Sequence, residues 1–209
     1  MTNNRLLVLL CFALPLTAGA AQPDARGQPA YTERGADTCI KCHDEDSKFP
    51  VLSIFKTRHA QQADKRTPFA TLQCESCHGP GASHAREVPD GQKQAPIIKF
   101  GASSWVSVEK QNQICLGCHE NQSRIAWKGS AHGGNDVACV SCHTIHATHD
   151  AVRDTATQPD VCFGCHKRQR AEFDKPSVHP VRFAQMACSS CHDVHGAIAA
   201  KLLIKPTLN

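Results

Sequence analysis

The chain has 209 residues, a formal charge of +4 and only 5% aromatic residues. That length is a prior for one domain or two. A charge this small, with basic residues spread rather than blocked, excludes a nucleic-acid binder built on a basic patch. Long periodic apolar segments, the usual source of an interior, are missing, while the chain carries thirteen cysteines and thirteen histidines.

In chain order, residues 1–20 read as a cleaved signal peptide. Arg5 is the positive start, Leu6 to Leu16 the short apolar stretch, and Ala18-Gly19-Ala20 the small-residue cleavage site. Cys11 would leave with it, so twelve cysteines remain. No later stretch approaches the ~18 apolar residues that cross a bilayer. The mature chain is therefore expected to be soluble and exported, with no direct membrane span. Residues 21–36 read as a polar, poorly ordered leader, 37–196 as the working domain and 197–209 as a tail without ligands.

The working domain contains C-x-x-C-H six times. The pairs are Cys39/Cys42, Cys74/Cys77, Cys115/Cys118, Cys139/Cys142, Cys162/Cys165 and Cys188/Cys191, followed at once by His43, His78, His119, His143, His166 and His192. Two thiols one short turn apart form thioethers to the two vinyl groups of haem, and the next residue places an imidazole under the iron. Zinc sites and redox disulfides also use C-x-x-C, but neither needs a histidine after every second cysteine. Six motifs consume all twelve remaining cysteines, so the expected cofactor is six covalent haem c groups. Each haem brings two propionates, which makes the loaded protein acidic despite the +4 of the bare chain. The stretch KRQR at 167–170 is read as a solvated helix face near such propionates.

Seven histidines lie outside the motifs, and six of them repeat. Each unit runs motif, lone histidine, motif, close-following histidine. The units are His43, His59, His78, His84 (about 37–84), then His119, His132, His143, His146 (about 111–149), then His166, His179, His192, His195 (about 158–196). Histidine spacings are 13, 11 and 3 in the second unit, 13, 13 and 3 in the third, and a stretched 16, 19 and 6 in the first. His59, His84, His132, His146, His179 and His195 are thus candidate distal ligands, giving twelve histidines for twelve axial positions. His146 follows His143 too closely to reach the far face of the same haem, so it is expected to serve a neighbour. His149 is spare. Met186, alone once Met1 is lost, reads as packing. Histidine on both faces implies low-spin haems of low potential.

The expected fold class is a multihaem cytochrome c: short α-helices and loops wrapped around a covalent haem chain, with little or no β-sheet. Helical turns should begin near each motif. Residues 164–175 read as one helix stopped by Pro176. HGPGASH at 78–84 reads as a turn that returns His84, and 85–110, with Pro89, Gly91, Pro96 and Gly101, as an inter-unit loop.

The stretches GADTCIKCHDE, RTPFATLQCESCHGPGASH, SAHGGNDVACVSCHTIH and SVHPVRFAQMACSSCHDVHG resemble the periplasmic decahaem cytochromes of outer-membrane electron conduits, the MtrA and DmsE type. Their doubled motif is also similar to that of the pentahaem cytochrome that feeds periplasmic nitrite reductase. The resemblance runs over residues 35–206 and implies bis-histidine haems set edge to edge. It implies an electron-transfer protein between an inner-membrane quinol-oxidising cytochrome and an outer-membrane porin–cytochrome conduit or terminal reductase, or the reverse flow. The family carries ten haems; this chain matches the first six. The competing reading is a multihaem oxidoreductase of nitrite, hydroxylamine or tetrathionate type, which needs one iron with an open position. A filament-forming subunit is the third.

Overall fold

The computed structural model describes residues 29–47, 51–197 and 199–205. The expected signal peptide, the leader up to 28 and residues 206–209 lie outside these. Five short α-helices, α1 (Ala36–Cys39), α2 (Glu75–His78), α3 (Val108–His119), α4 (Gln158–Phe163) and α5 (Lys167–Phe173), are joined by 3-10 turns of three to eight residues. The β-structure among the described residues is an isolated bridge between His192 and Leu203. The expectation of short helices and loops without sheet holds.

The helical turns have one local cause. In five of the motifs the histidine N–H donates to the carbonyl of the first cysteine, for example His78 to Cys74 at 3.1 Å and His192 to Cys188 at 3.0 Å. In the third motif the same turn is the end of α3. One α-type turn therefore sets both thiols and the imidazole of every motif in a fixed relation. α3 is the longest helix because it has a proper start: the Ser107 side chain accepts the Lys110 N–H at 3.2 Å, and Glu109 sits in the first turn.

Packing comes from few residues. Ala36, Phe69, Leu116, Trp127, Ala138, Phe163, Val181 and Ala187 are the buried apolar ones, and no large side chain among the described residues is wholly buried. Ile125 and Phe183 are more than 70% exposed. Protein atoms alone do not make an interior here, as the composition implied.

Side-chain amides, buried at Asn112 and Gln158 and half-buried at Gln73, do much of the joining. In the first unit Gln73 accepts the Ala36 N–H at 2.6 Å, tying α1 to the second motif. In the second, Asn112 on α3 donates to Val137 O at 3.0 Å and accepts the Cys139 N–H at 2.8 Å. In the third, Gln158 on α4 accepts the Ser189 N–H at 2.9 Å and donates to Val152 O at 2.7 Å. Each amide lies just before one motif and binds backbone at or near the other motif of its unit, and buried groups of this kind are costly to leave unpaired. Gly35, at φ +51, leaves room for the first clamp: a β-carbon there would lie 2.7 Å from Gln73 Oε1.

Two elements differ from the sequence expectation. Residues 164–175 are not one helix. α4 ends at Phe163 and α5 begins at Lys167, because His166 leaves the helical region at ψ 60. α5 ends at Phe173, short of Pro176. Residues 30–36, expected to be loose leader, are tied down. The buried Glu75 carboxylate accepts from Thr32 N at 3.0 Å, Thr32 Oγ1 at 2.7 Å and Gly81 N at 2.6 Å, and Ala82 N donates to Ala30 O at 3.2 Å.

Replacing Asn112 by Ala removes two hydrogen bonds and strands the Cys139 N–H. At roughly 1 kcal/mol per neutral bond, the haem-loaded protein should lose about 2 kcal/mol, read as a lower guanidinium midpoint by circular dichroism. An unchanged midpoint would show that the clamp carries no stability.

Candidate haem sites

The histidines outside the motifs come back to the motif histidines in pairs. His43 faces His84 with ring centroids 6.4 Å apart, His78 faces His146 at 6.1 Å, His119 faces His59 at 6.0 Å, His143 faces His195 at 6.2 Å and His166 faces His132 at 6.0 Å. These gaps are too wide for contact and too regular for chance. Two metal–imidazole bonds of about 2.0–2.1 Å, plus the distance from each nitrogen to its ring centre, give roughly 6.3 Å between centroids. The planes are near parallel for His43/His84 (15°) and His143/His195 (8°). They stand at 88°, 81° and 72° for His78/His146, His132/His166 and His59/His119. His179 and His192 form no such pair among the described residues. His179 is exposed, and His149 lies 3.4 Å from Asp154 at the surface.

The ring orientation is set from behind. His78 Nδ1 meets Ile98 O at 2.6 Å, His84 Nδ1 meets Ala95 O at 2.7 Å, His132 Nδ1 meets Val194 O at 3.0 Å and His192 Nδ1 meets Lys201 O at 2.8 Å. A carbonyl accepts only from N–H, so the proton sits on Nδ1 and Nε2 is left as the ligating atom. The loop 85–110, read from sequence as a connection, thus supplies the carbonyls that aim His78 and His84. His143 differs: its Nδ1 meets the Asp150 carboxylate at 2.7 Å, while Asp150 also accepts the Thr144 N–H at 3.2 Å. Burial holds His59, His78, His119, His146 and His195 below the ordinary imidazole range, and so favours the neutral ring that binds metal. Gly196, at φ +135, lets the chain beyond His195 pass Ala126, whose carbonyl oxygen would lie 2.7 Å from a β-carbon there.

The cysteines are arranged as consistently. The twelve described cysteines are all free. The Cys39, Cys115 and Cys162 thiols are raised by hydrogen bonds to Cys74, Cys139 and Cys188, and those three partners are lowered by the same bonds. First cysteines of motifs one and two, three and four, and five and six therefore touch. Cys77 is raised by burial and then by the nearby Cys118, and Cys142 by burial and then by Cys165. Those two contacts join motifs two to three and four to five. Consecutive motifs are thus neighbours all along the chain.

Five of the second cysteines, Cys42, Cys118, Cys142, Cys165 and Cys191, are exposed, and Cys77 is half-buried. The Cys42 N–H donates to Cys39 O at 3.2 Å within its own turn.

Haem c fits this donor set. No three His, Cys, Asp or Glu side chains among the described residues converge on a point that a bare metal ion would occupy. The thiols instead stand free in C-x-x-C turns, beside imidazoles held apart by the thickness of one iron with its two bonds. Covalent haems carried at several motifs define a multihaem c-type cytochrome.

Comparison with known proteins gives the same class. The model of the family described as cytochrome c-type protein NrfB-like matches residues 74–159. Multiheme cytochrome MtrA of Shewanella baltica is 42% identical over 179 residues, which is 86% of this chain and 52% of that protein. Cytochrome c-type protein NrfB of Haemophilus influenzae is 30% identical over 155 residues, 66% of this chain and 68% of its own. NrfB of Escherichia coli O6:H1 is 27% identical over 172 residues, 78% and 81% of the two chains. The chain spans about half the length of the MtrA it matches. It belongs to the multihaem c-type cytochromes of MtrA and NrfB type.

Sequence reasoning found the ligand candidates but missed what orients them. Asp150 and the clamps Gln73, Asn112 and Gln158 carry no motif; the one available signal was an acidic residue seven positions after His143. The Asp150 carboxylate holds the His143 ring by its Nδ1, and with haem bound its negative charge behind the ligand would favour ferric iron. In the haem-loaded protein Asp150→Asn should raise one haem potential by tens of millivolts, a tenfold change in relative affinity being about 59 mV for one electron. A redox titration in which every step stays in place would contradict this role.

Proposed function

We propose that the chain is a periplasmic electron carrier with six haem c groups in a line, in the order of their motifs. The observation that carries this reading is the set of five histidine pairs at 6.0–6.4 Å, four of which join different units of the repeat. The neighbouring cysteines of consecutive motifs support the order, and their within-unit contacts support the division into three two-haem units. The twelve motif cysteines would hold the haems; His43, His78, His119, His143, His166 and His192 would be proximal, and His84, His146, His59, His195 and His132 distal to the first five in that order.

Haem c, when bound, supplies a one-electron iron couple. The chain's own residues fix the rest. Thioether sites anchored in rigid turns set the spacing between neighbours. Carbonyls behind the rings hold the imidazoles. Histidine on both faces, without methionine sulfur, keeps potentials low. A carrier built this way has little for a substrate to bind, so the reading is transfer and not catalysis. Its redox partners would be an inner-membrane quinol-oxidising cytochrome on one side and an outer-membrane porin–cytochrome conduit or terminal reductase on the other. Similarity to MtrA and NrfB supports that placement. No helix among the described residues is long and apolar enough to cross a membrane.

Mass spectrometry and the pyridine haemochrome assay of the matured chain should give six haems; fewer would refute the count. Electron paramagnetic resonance should then separate two classes of low-spin haem. Near-parallel imidazole planes raise one iron π orbital above the other and give rhombic signals, expected for the His43/His84 and His143/His195 haems. Crossed planes leave those orbitals nearly degenerate and give strongly anisotropic signals, expected for the other three pairs. A single rhombic class would contradict the paired geometry.

A further inference from the structure

Residues 95–101 form a strap without helix or strand between the first and second units. Its carbonyls face the first unit. His84 Nδ1 donates to Ala95 O at 2.7 Å and His78 Nδ1 to Ile98 O at 2.6 Å. The Ile98 N–H donates back to His78 O at 3.3 Å. The Phe100 ring stands edge-on to the His78 ring, with centroids 5.5 Å apart at 81°. One short segment thus meets His78 in three ways. Ile97 and Ile98 also lie close over the turn 78–84: β-carbons at Gly81 and Gly79 would each come 3.4 Å from their Cδ1 atoms. Apolar contact presses the strap onto that turn but is not directional, so it does not fix where the carbonyls point.

The strap is fixed from unit two. Gln111, on α3 four residues before Cys115, is only 2% exposed. Its Oε1 accepts the Gly101 N–H at 2.8 Å, and its Nε2 donates to Val106 O at 3.2 Å and to Gly101 O at 3.4 Å. All three bonds go to the end of the strap and the bend that follows it. Gly101, at φ +102, has open space where a β-carbon would stand, so glycine serves the backbone conformation there and not the packing. Trp105 Nε1 donates to Ile97 O at 3.0 Å and closes the same bend from outside, with Trp105 itself 62% exposed. The neighbouring Asn112 turns the other way, to Val137 and Cys139. Adjacent residues of α3 therefore serve different ends. Asn112 joins the two motifs of unit two, and Gln111 reaches the strap behind the histidines of unit one.

We propose that Gln111 is a positioning residue for the axial ligands of unit one: it holds the strap so that Ile98 O aims His78 and Ala95 O aims His84. This rests on the proposed ligation of haem by these histidines and adds what sets their ring angle and basicity. The helix that carries the third motif thereby sets the imidazoles at the first two. A firm Nδ1–H···O=C bond makes the ligating nitrogen more electron-rich and favours ferric iron. With Gln111 removed, the Gly101 and Val106 backbone groups lose buried partners, and the strap shifts to satisfy them elsewhere.

The test uses the matured, haem-loaded full chain. His146→Ala first assigns the iron, since it should turn the His78 haem high-spin; no new high-spin haem would fail the ligation reading itself, before Gln111 is in question. Gln111→Met keeps the length of the side chain and removes its three hydrogen bonds. It should keep the haem count and make the signal of the His78 haem less anisotropic, as that ring leaves its 88° angle to His146. The preference of that haem for ferric iron should fall roughly threefold to tenfold, about 28 to 59 mV upward at 59 mV per tenfold for one electron. The His143/His195 and His132/His166 haems should not move. Asn112→Ala, expected to lower stability, should leave the His78 haem signal and potential in place. Gly101→Ala strains the same anchor without altering the interior, and should move the same signal in the same direction even where Gln111→Met loses haem. The proposal is overturned if Gln111→Met lowers the denaturation midpoint as Asn112→Ala does yet leaves the signal and potential unchanged. It is overturned equally if Gly101→Ala leaves them unchanged, or if the signals of all the paired haems move together, which would mark a general loosening.

Discussion

The structure depends on a gap. Five pairs of imidazoles are held with their ring centres about 6 Å apart. Two rings cannot stay so placed by attracting each other. They are placed by what lies behind them: the carbonyls of Ala95, Ile98 and Val194 and the carboxylate of Asp150. Those groups fix one ring in each of four pairs, His84, His78, His132 and His143, by its Nδ1 and leave Nε2 as the ligating atom. The rest of the architecture follows from keeping the gaps open. Helices are short because each motif needs one turn and then a change of direction. The protein interior is thin because cofactor is meant to fill it. Side-chain amides join the two motifs of each unit because there is little apolar surface to do so.

The exchange of histidines between units has a consequence for stability as well as for transfer. A ligand given to one's own haem would stabilise that unit alone. A ligand given to the neighbour makes each unit incomplete without the next, so the line of units should fold and melt together. Within repeat proteins, neighbour interfaces set cooperativity in this way. Under the proposed ligation the interface term would be a pair of metal bonds at each junction. The first unit departs from the pattern, since His84 faces His43 of its own unit, and the departure is visible as the longer spacing from His78 to His84.

Much of this was legible in the sequence. The six C-x-x-C-H motifs, the six repeating histidines and the absence of an ordinary core all follow from residue type and spacing. So does the inference that His146 serves a neighbouring haem, since three residues cannot span a porphyrin. Which neighbour was not legible, because a pairing such as His146 with His78 is decided by how units stack, and nothing local encodes that. The break of 164–175 at His166 was hidden for a related reason: helix propensity favours continuing, and the need to turn that ring towards His132 overrides it. The packing of residues 30–36 depended on Glu75, a buried carboxylate that spacing alone cannot reveal.

The most direct measurement is the position of the irons themselves. Anomalous scattering at the iron edge, from crystals of the haem-loaded protein, would locate every haem and its two axial ligands. Six irons are expected in one line in motif order, with His78 and His146 on a single iron and His59 and His119 on another. Irons ligated only by histidines of their own unit, or a branched arrangement that breaks motif order, would contradict this structure of exchanged ligands.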